Sequence, residues 1–353
     1  MVHARTRSRG RLGALGVVLA LMVAGCSAGG DPTSDASTTA ATITADKAAA
    51  PDPVLPTTWP LTGVAGDVVE RPALAVKVEN TNAARPQSGL EQADVVWETI
   101  VEFDVSRFVA VYQSQVPETI GPVRSVRPMD TAIVSPLNGL LAFSGGQTGI
   151  LALVDASTAQ PLSFDAGVDG LARVSTRSAP HNVYADPEVL WAQADADHQS
   201  SPDQQFAFAL SAESATAVTQ GTPATTLDFY LSTASEPHWT WDGSVWQRYE
   251  GDEPAMAASG VQLSAVNVVS IVAEHPGTEF GAQNDAVVPT YTLVGSGEAT
   301  IATGGQTIAV TWKKDSETSP MQLFLADGTE ALLAPGNTWV ELVPAGTGTL
   351  TIS

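Results

Sequence analysis

Three textures follow one another along the chain. Positions 12–22 form an apolar run broken only by Gly13 and Gly16, and residues 27–56 are Ser, Thr, Ala, Asp, Gly and Pro with almost no large apolar side chains. Mixed apolar and polar sequence begins around Trp59-Pro60-Leu61 and continues to the end. Up to about residue 200 the periodicities are mixed. Residues 73–78 read as a strand ending at Asn80. Residues 95–103 and 107–113 are β-branched and aromatic runs flanking Asp104-Val105-Ser106, the pattern of a hairpin. A helix is predicted within 128–141, a buried strand at 140–144 before Gly145-Gly146, and a second helix over 149–159. A third, short helix over 187–197 has Asp186 as its N-cap.

Residues 201–224 are rich in Ser, Gln, Ala and Thr and read as a linker or a loose edge. Beyond them short strand patterns recur around 227–231, 239–241, 245–249, 266–272, 290–294, 307–312, 321–325 and 338–343. Turn signals such as Asp242-Gly243, Gly304-Gly305, Asp327-Gly328 and Pro335-Gly336-Asn337 separate several of them. The expected fold class is α+β: an N-terminal mixed α/β domain over 57–200, then a smaller, mostly β domain over 225–353. No internal repeat is visible.

The amino-terminal texture changes once charge is added. Arg5, Arg7, Arg9 and Arg11 precede the apolar run, and Val23-Ala24-Gly25-Cys26 closes it. A positive start, a short apolar stretch and small residues before a cut define a secretory signal over residues 1–26, and the stretch is shorter than the roughly 20 residues a membrane span requires. Val-Ala-Gly-Cys resembles the bacterial lipobox, in which the cysteine is acylated and becomes the mature N-terminus. The expectation is a protein lipid-anchored through Cys26 (palmitate among the acyl groups) on the outer face of the cell membrane, with 27–56 as a flexible tether. Cys26 is the single cysteine, so disulfides, cysteine catalysis and cysteine-ligated metals are excluded.

The chain has 353 residues, 44% of them hydrophobic, enough for one or two domains with their own cores. The formal net charge is −22. Without the four arginines of the signal, 12 Lys and Arg face 38 Asp and Glu, a charge near −26. So acidic a body argues against nucleic acid and against direct adhesion to anionic lipid heads. No oligomeric state can be read from the sequence.

Standard catalytic signatures are missing: there is no His-Glu-x-x-His, Gly-x-Ser-x-Gly, Walker loop or paired Cys-x-x-Cys. Gly295-Ser296-Gly297 lacks the strand-turn-helix context of a nucleotide loop. His181, His198, His238 and His275 are scattered, with no metal-ligand spacing, so neither metal nor cofactor is implied. Arginine is distributed unevenly instead. Seven of the eight arginines beyond the signal lie between Arg71 and Arg177, and only Arg248 follows. Arginine suits bidentate pairing with carboxylate or phosphate, so the concentration signals either an anionic-ligand pocket or structural pairing with nearby acids.

Three segments carry the candidates. Glu98 and Glu102 fall on one face of a predicted strand, four positions apart, near Arg107; they can share an arginine, coordinate a hard cation, act as an acid/base pair, or form a solvated face. Gly121 to Asp130 is stiffened by Gly-Pro and Arg-Pro and presents Arg124, Arg127 and Asp130 as an anion clamp or a rigid connector. Residues 173–184 place His181 and Asn182 on a proline-stiffened loop, a setting common for binding residues. Trp239, Trp241 and Trp246 offer either stacking surface for a sugar or core packing.

At these segments the sequence resembles the YerB-like lipoprotein family, a two-part domain of unknown function. Arg71-Pro72, Ala75 to Asn80, Ala84 to Leu90 and Ala93 to Val96 match its opening motif. Glu98, Glu102 and Arg107 follow, then Gly121 to Ser125 and Ala179 to Asn182. In the second half Gly295 to Gly297, Thr311 to Lys313 and Pro335 to Trp339 also fit. The resemblance covers about 57–348 and implies an extracytoplasmic lipoprotein with an α/β part and a β-rich part. It implies no activity, and Glu98, Glu102, Arg107, Arg124, Arg127, His181 and Asn182 remain candidates without assigned roles. Three functions are open: binding of a polar or anionic ligand or a cell-wall component, an extracellular hydrolase or transferase using Glu98, Glu102 and His181, or a structural partner of an envelope protein.

Overall fold

The apolar runs pair into one long sheet that both halves of the sequence build. The computed structural model describes residues 57–282 and 285–353; the signal, Cys26 and the tether lie outside them. In the first half the strands are β1 (Leu74–Glu79), β2 (Val95–Ile100), β3 (Ser106–Tyr112), β4 (Leu140–Phe143), β5 (Gln160–Ser163), β6 (Leu171–Arg173) and β7 (Val183–Ala185). Its helices are α1 (Pro128–Val134), α2 (Thr148–Asp155) and α3 (Pro187–Trp191). The second half has helix α4 (Thr216–Gln220) and strands β8 (Thr222–Pro223), β9 (Thr226–Tyr230), β10 (Pro237–Trp241), β11 (Trp246–Glu250), β12 (Glu253–Pro254) and β13 (Ser264–Ala265). It continues with β14 (Asn267–Ala273), β15 (Gly277–Gly281), β16 (Val287–Pro289), β17 (Gly295–Thr303), β18 (Gln306–Lys314), β19 (Gln322–Phe324), β20 (Thr338–Pro344) and β21 (Thr349–Ile352).

The eleven-stranded main sheet has the order β19-β18-β17-β14-β20-β2-β3-β1-β4-β5, with β8 also on β18. Strands β1, β4 and β5 pair in parallel, as do β2, β20 and β14. Strand β3 is antiparallel to both β1 and β2. All six parallel strands therefore point the same way, and their carboxyl ends lie along one side of the sheet. Every residue of β1, β2, β3 and β20 is buried, as expected for central strands covered on both faces. The α/β first half and the β-rich second half meet inside this sheet, at the β2–β20 pair. The described residues form one compact unit. Among the described residues no helix is long and apolar enough to cross a membrane.

Cross-strand partners share a face, so register sorts the polar residues. Glu98 lies opposite Phe108 and Glu341, on the face covered by the second sheet, β12-β11-β10-β9-β21 with β13 on β11. Thr99 and Glu79 both lie opposite Arg107, on the other face. There the Lys77 ammonium donates to Thr99 at 3.0 Å and pairs with Asp130 of α1 at 2.7 Å, all three buried. Burial lowers Lys77 to about 8, with Asp130 opposing the shift. Asp130 also accepts the Arg127 N–H at 2.8 Å, fixing the start of α1.

Three local expectations change. Helix α1 stops at Val134, because Ser135-Pro136 turns the chain and Asn138 takes a positive φ of 45°. The hairpin's first strand ends at Ile100, and the turn Glu102–Asp104 precedes β3. The stretch 201–224 buries Phe206, Ala215 and Ala217 and sets α4 against β17 and β18, since its small side chains allow close approach.

Candidate functional site

At the carboxyl ends of the parallel strands a cleft of about 590 Å³ opens, the place where ligands bind in open α/β sheets. Its floor is set by backbone. Residues 121–127 form a strap laid across the ends of β1 and β4: Glu79 N–H donates to Pro122 O at 2.9 Å, and Arg124 N–H to Lys77 O at 2.8 Å. Ser144 N–H donates to Arg124 O at 3.0 Å and Val126 N–H to Gly145 O at 3.1 Å. The predicted connector is thus held on both sides, which fixes where Arg124 and Arg127 start from.

Five of the eight folded-part candidates, Glu102, Arg107, Arg124, Arg127 and His181, line this cleft, together with Glu79. Arg127 Nε pairs with Glu102 Oε2 at 2.6 Å. His181 Nδ1 lies 2.8 Å from Glu79 Oε2; a carboxylate only accepts, so Nδ1 is the donor and Nε2 stays available. Arg124 Nε is 3.5 Å from the same oxygen, a charge contact without hydrogen-bond alignment. Arg107 differs. It is 8% exposed, its Nη1 donates to Ser125 O at 2.8 Å, and among the described residues no carboxylate comes within ion-pair distance of it. Burial, then the charges of Arg127 and Arg124, push its guanidinium down to about 9, against the opposing pull of Glu102 and Glu79. Glu102, 5% exposed, keeps its second oxygen, Oε1, buried with no partner.

The other three candidates are elsewhere. Glu98 does not join Glu102 and Arg107. Strand β2 ends between the two glutamates, which removes the shared face, and register puts Arg107 on the side away from Glu98. Glu98 takes Arg248 Nη2 at 2.7 Å instead. Arg248 also reaches Glu341 at 2.8 Å and Glu250 at 2.9 Å, and it sits over the rings of Phe108, Trp239 and Trp339 at 5.3, 5.4 and 4.7 Å. Burial raises Glu341 well above the carboxylate range, and the adjacent Glu98 charge adds to it. Burial acts on Glu98 in the same direction, but the Arg248 charge brings it below its ordinary value. Asp130 belongs to the Lys77 pair. Asn182 clasps the β6–β7 hairpin, accepting from Arg173 at 2.5 Å and donating to Val174 O at 3.3 Å.

The remaining arginines are structural. Arg71 donates to Gln113 O and lies over Trp191, Arg85 bonds Asn80 and Glu250, and Arg177 holds the carbonyls of Ala83, Ala84 and Pro86. Trp239 and Trp246 are fully buried, which answers the stacking question in favour of the core. Glu79 was not among the sequence candidates, and its signal was the alternation that puts it on the Lys77 face at the end of β1. Among the described residues no group of three or more His, Asp or Glu is placed to hold a metal ion.

Comparison with known proteins returns a family without assigned chemistry. A model described as "Protein of unknown function (DUF3048) N-terminal domain" matches residues 61–200, and its C-terminal counterpart matches 226–340. A Bacillus subtilis (strain 168) protein named "Putative lipoprotein YerB" is 36% identical over 149 residues, which are 41% of this chain and 44% of that protein. The crystal structure of the YerB protein from Bacillus subtilis superposes with a TM-score of 0.70 at 23% identity, covering 84% of this chain and 99% of the other. That likeness speaks to the fold.

Proposed function

We propose that this chain, which belongs to the DUF3048 family of proteins of unknown function, is an extracytoplasmic lipoprotein that holds an anionic ligand in the cleft at Arg107. The envelope placement is supported by the signal-like first 26 residues, by the lipobox-like ending at Cys26, and by similarity to a protein named as a lipoprotein. The ligand class rests on one observation: an almost buried guanidinium in an open cleft, with no carboxylate within ion-pair distance among the described residues. A buried charge without a counter-charge is costly, and an anion from outside supplies one. A bound phosphate or carboxylate takes Arg107 with charge-assisted hydrogen bonds, and Arg124 and Arg127 contribute field from the strap.

Isothermal titration of the processed protein with inorganic phosphate and with acetate tests this. Saturable binding that weakens with added salt, and weakens at least about tenfold in Arg107→Ala, is expected. Equal heats from wild type and variant overturn the reading.

A second reading, acid/base chemistry on that ligand, is favoured by one contact: the His181–Glu79 pair fixes the imidazole with Nε2 unbonded. The trio of Glu98, Glu102 and His181 does not serve, because Glu98 is closed in behind the sheet. Turnover of 4-nitrophenyl phosphate lost in His181→Gln supports this reading; no turnover above buffer removes it.

A further inference from the structure

The β2–β3 turn brings a different kind of group to the cleft. Phe103 and Asp104 both lie in the left-handed region, at φ 63° and 58°, which side chains bearing a Cβ avoid. Two such residues in succession persist only where surrounding contacts impose them, and such outliers gather at ligand sites. Here the contacts come from the second half of the chain: Ser232 Oγ donates to the Asp104 carbonyl and Thr233 Oγ1 to its carboxylate. The turn thereby sets the Phe103 ring at the cleft, where it is 63% exposed and lines the same space as Arg107 and Glu102. A large aromatic side chain presented to water by an unfavourable backbone, beside an unanswered cation, has no packing reason to be there.

The cleft thus makes three demands at once. Arg107 requires an anion. The unpartnered, buried Glu102 Oε1 requires a hydrogen-bond donor. Phe103 offers an apolar face to a ring. A bare anion answers only the first. A hydroxylated ring carrying a phosphate or carboxylate answers all three: its charge goes to Arg107, a hydroxyl donates to Glu102, and its C–H face lies on Phe103.

We propose that the ligand is an anionic sugar, a phosphorylated sugar or a sugar acid, and that Phe103 is the platform its ring lies on. The proposal rests on the anion site at Arg107 and adds to it a ring-specific surface that bare anions do not use.

Titration calorimetry on the full processed protein separates the two. The probes are inorganic phosphate, acetate, glucose 1-phosphate and glucuronate. Each sugar-bearing anion that fits is expected to bind about tenfold more tightly than its bare counterpart, the gain a single stacked ring supplies. Phe103→Ala should erase that ratio while leaving phosphate and acetate affinities unchanged, and Phe103→Trp should restore it. Phe103 is exposed, so an unchanged thermal midpoint verifies that each variant is folded. Whether glucose 1-phosphate or glucuronate gains more identifies the source of the charge. Equal affinity for bare and sugar-bearing anions, or an advantage that survives Phe103→Ala, overturns the platform and leaves the Arg107 site standing. Absence of binding by all four probes overturns both.

Discussion

Two clusters of arginine and glutamate sit on opposite faces of the same sheet, and they have opposite fates. Behind the sheet Arg248 is fully buried, yet Glu98, Glu250 and Glu341 surround it and three aromatic rings close over it. Burial works against its charge, but the three carboxyl groups outweigh that and raise its pKa. At the cleft Arg107 is nearly as buried, and there the neighbours Arg127 and Arg124 add to burial and lower its pKa to about 9. The residue types are the same. The sum of the local field differs in sign, and with it the role we assign: the first cluster is complete within the protein, and the second is the proposed site for an anion.

The comparison can be broken most severely at Arg248. Arg248→Met is expected to cost about 3–5 kcal/mol of stability in urea unfolding, because it strands buried carboxylates. A loss under about 1 kcal/mol would put both clusters on the same footing. Arg107→Ala should do the reverse: anion affinity falls by about 1.5–3 kcal/mol, the worth of a hydrogen bond to a charged group, while the thermal midpoint holds or rises. A midpoint drop as large as that of Arg248→Met would show Arg107 to be structural. The finest cut is Glu341→Gln. The amide is neutral at every pH, the state that burial favours at this position, so stability at pH 7 should lie within about 1 kcal/mol of wild type. The sign with pH follows from the raised Glu341 value. Its unfolded form releases the proton at about 4.3 while the folded form keeps it. This contribution is present below that point and is lost as pH rises toward the folded value. Chemical unfolding at several pH values between 5 and 8 should therefore show Glu341→Gln gaining on wild type as pH increases.

Much of the scaffold was legible along the chain. The strand read over 73–78 is Leu74–Glu79, and the predicted Asp186 cap accepts the N–H groups of Glu188 and Val189 at 3.1 and 3.2 Å, although its helix ends early, at Trp191. Five residues of the cleft were legible too, because arginines on stiff segments and a loop histidine are local signals. The Glu98–Glu102 pairing failed for a local reason. Alternation holds only while a strand lasts, and the left-handed turn at Phe103-Asp104 leaves no mark in the letters Glu-Phe-Asp. Arg248 failed for a non-local one, since its partners Glu341 and Glu98 lie 93 and 150 positions away. Register decides such meetings, and register is a property of the closed sheet.

The β2–β20 pair sets a condition on when this molecule exists at all. Strand β2 is buried along its whole length, and its neighbour β20 comes from Thr338–Pro344, almost at the end of the chain. A polypeptide that emerges amino end first shows β2 long before β20 has been made. Until then β2 is an open, apolar edge, the kind of strand that recruits any passing partner. A fragment ending at residue 200, where the first family match ends, should come out as aggregate for the same reason. The late strand acts as a seal: an unfinished or clipped chain carries an exposed adhesive edge, and a finished one carries none at that place.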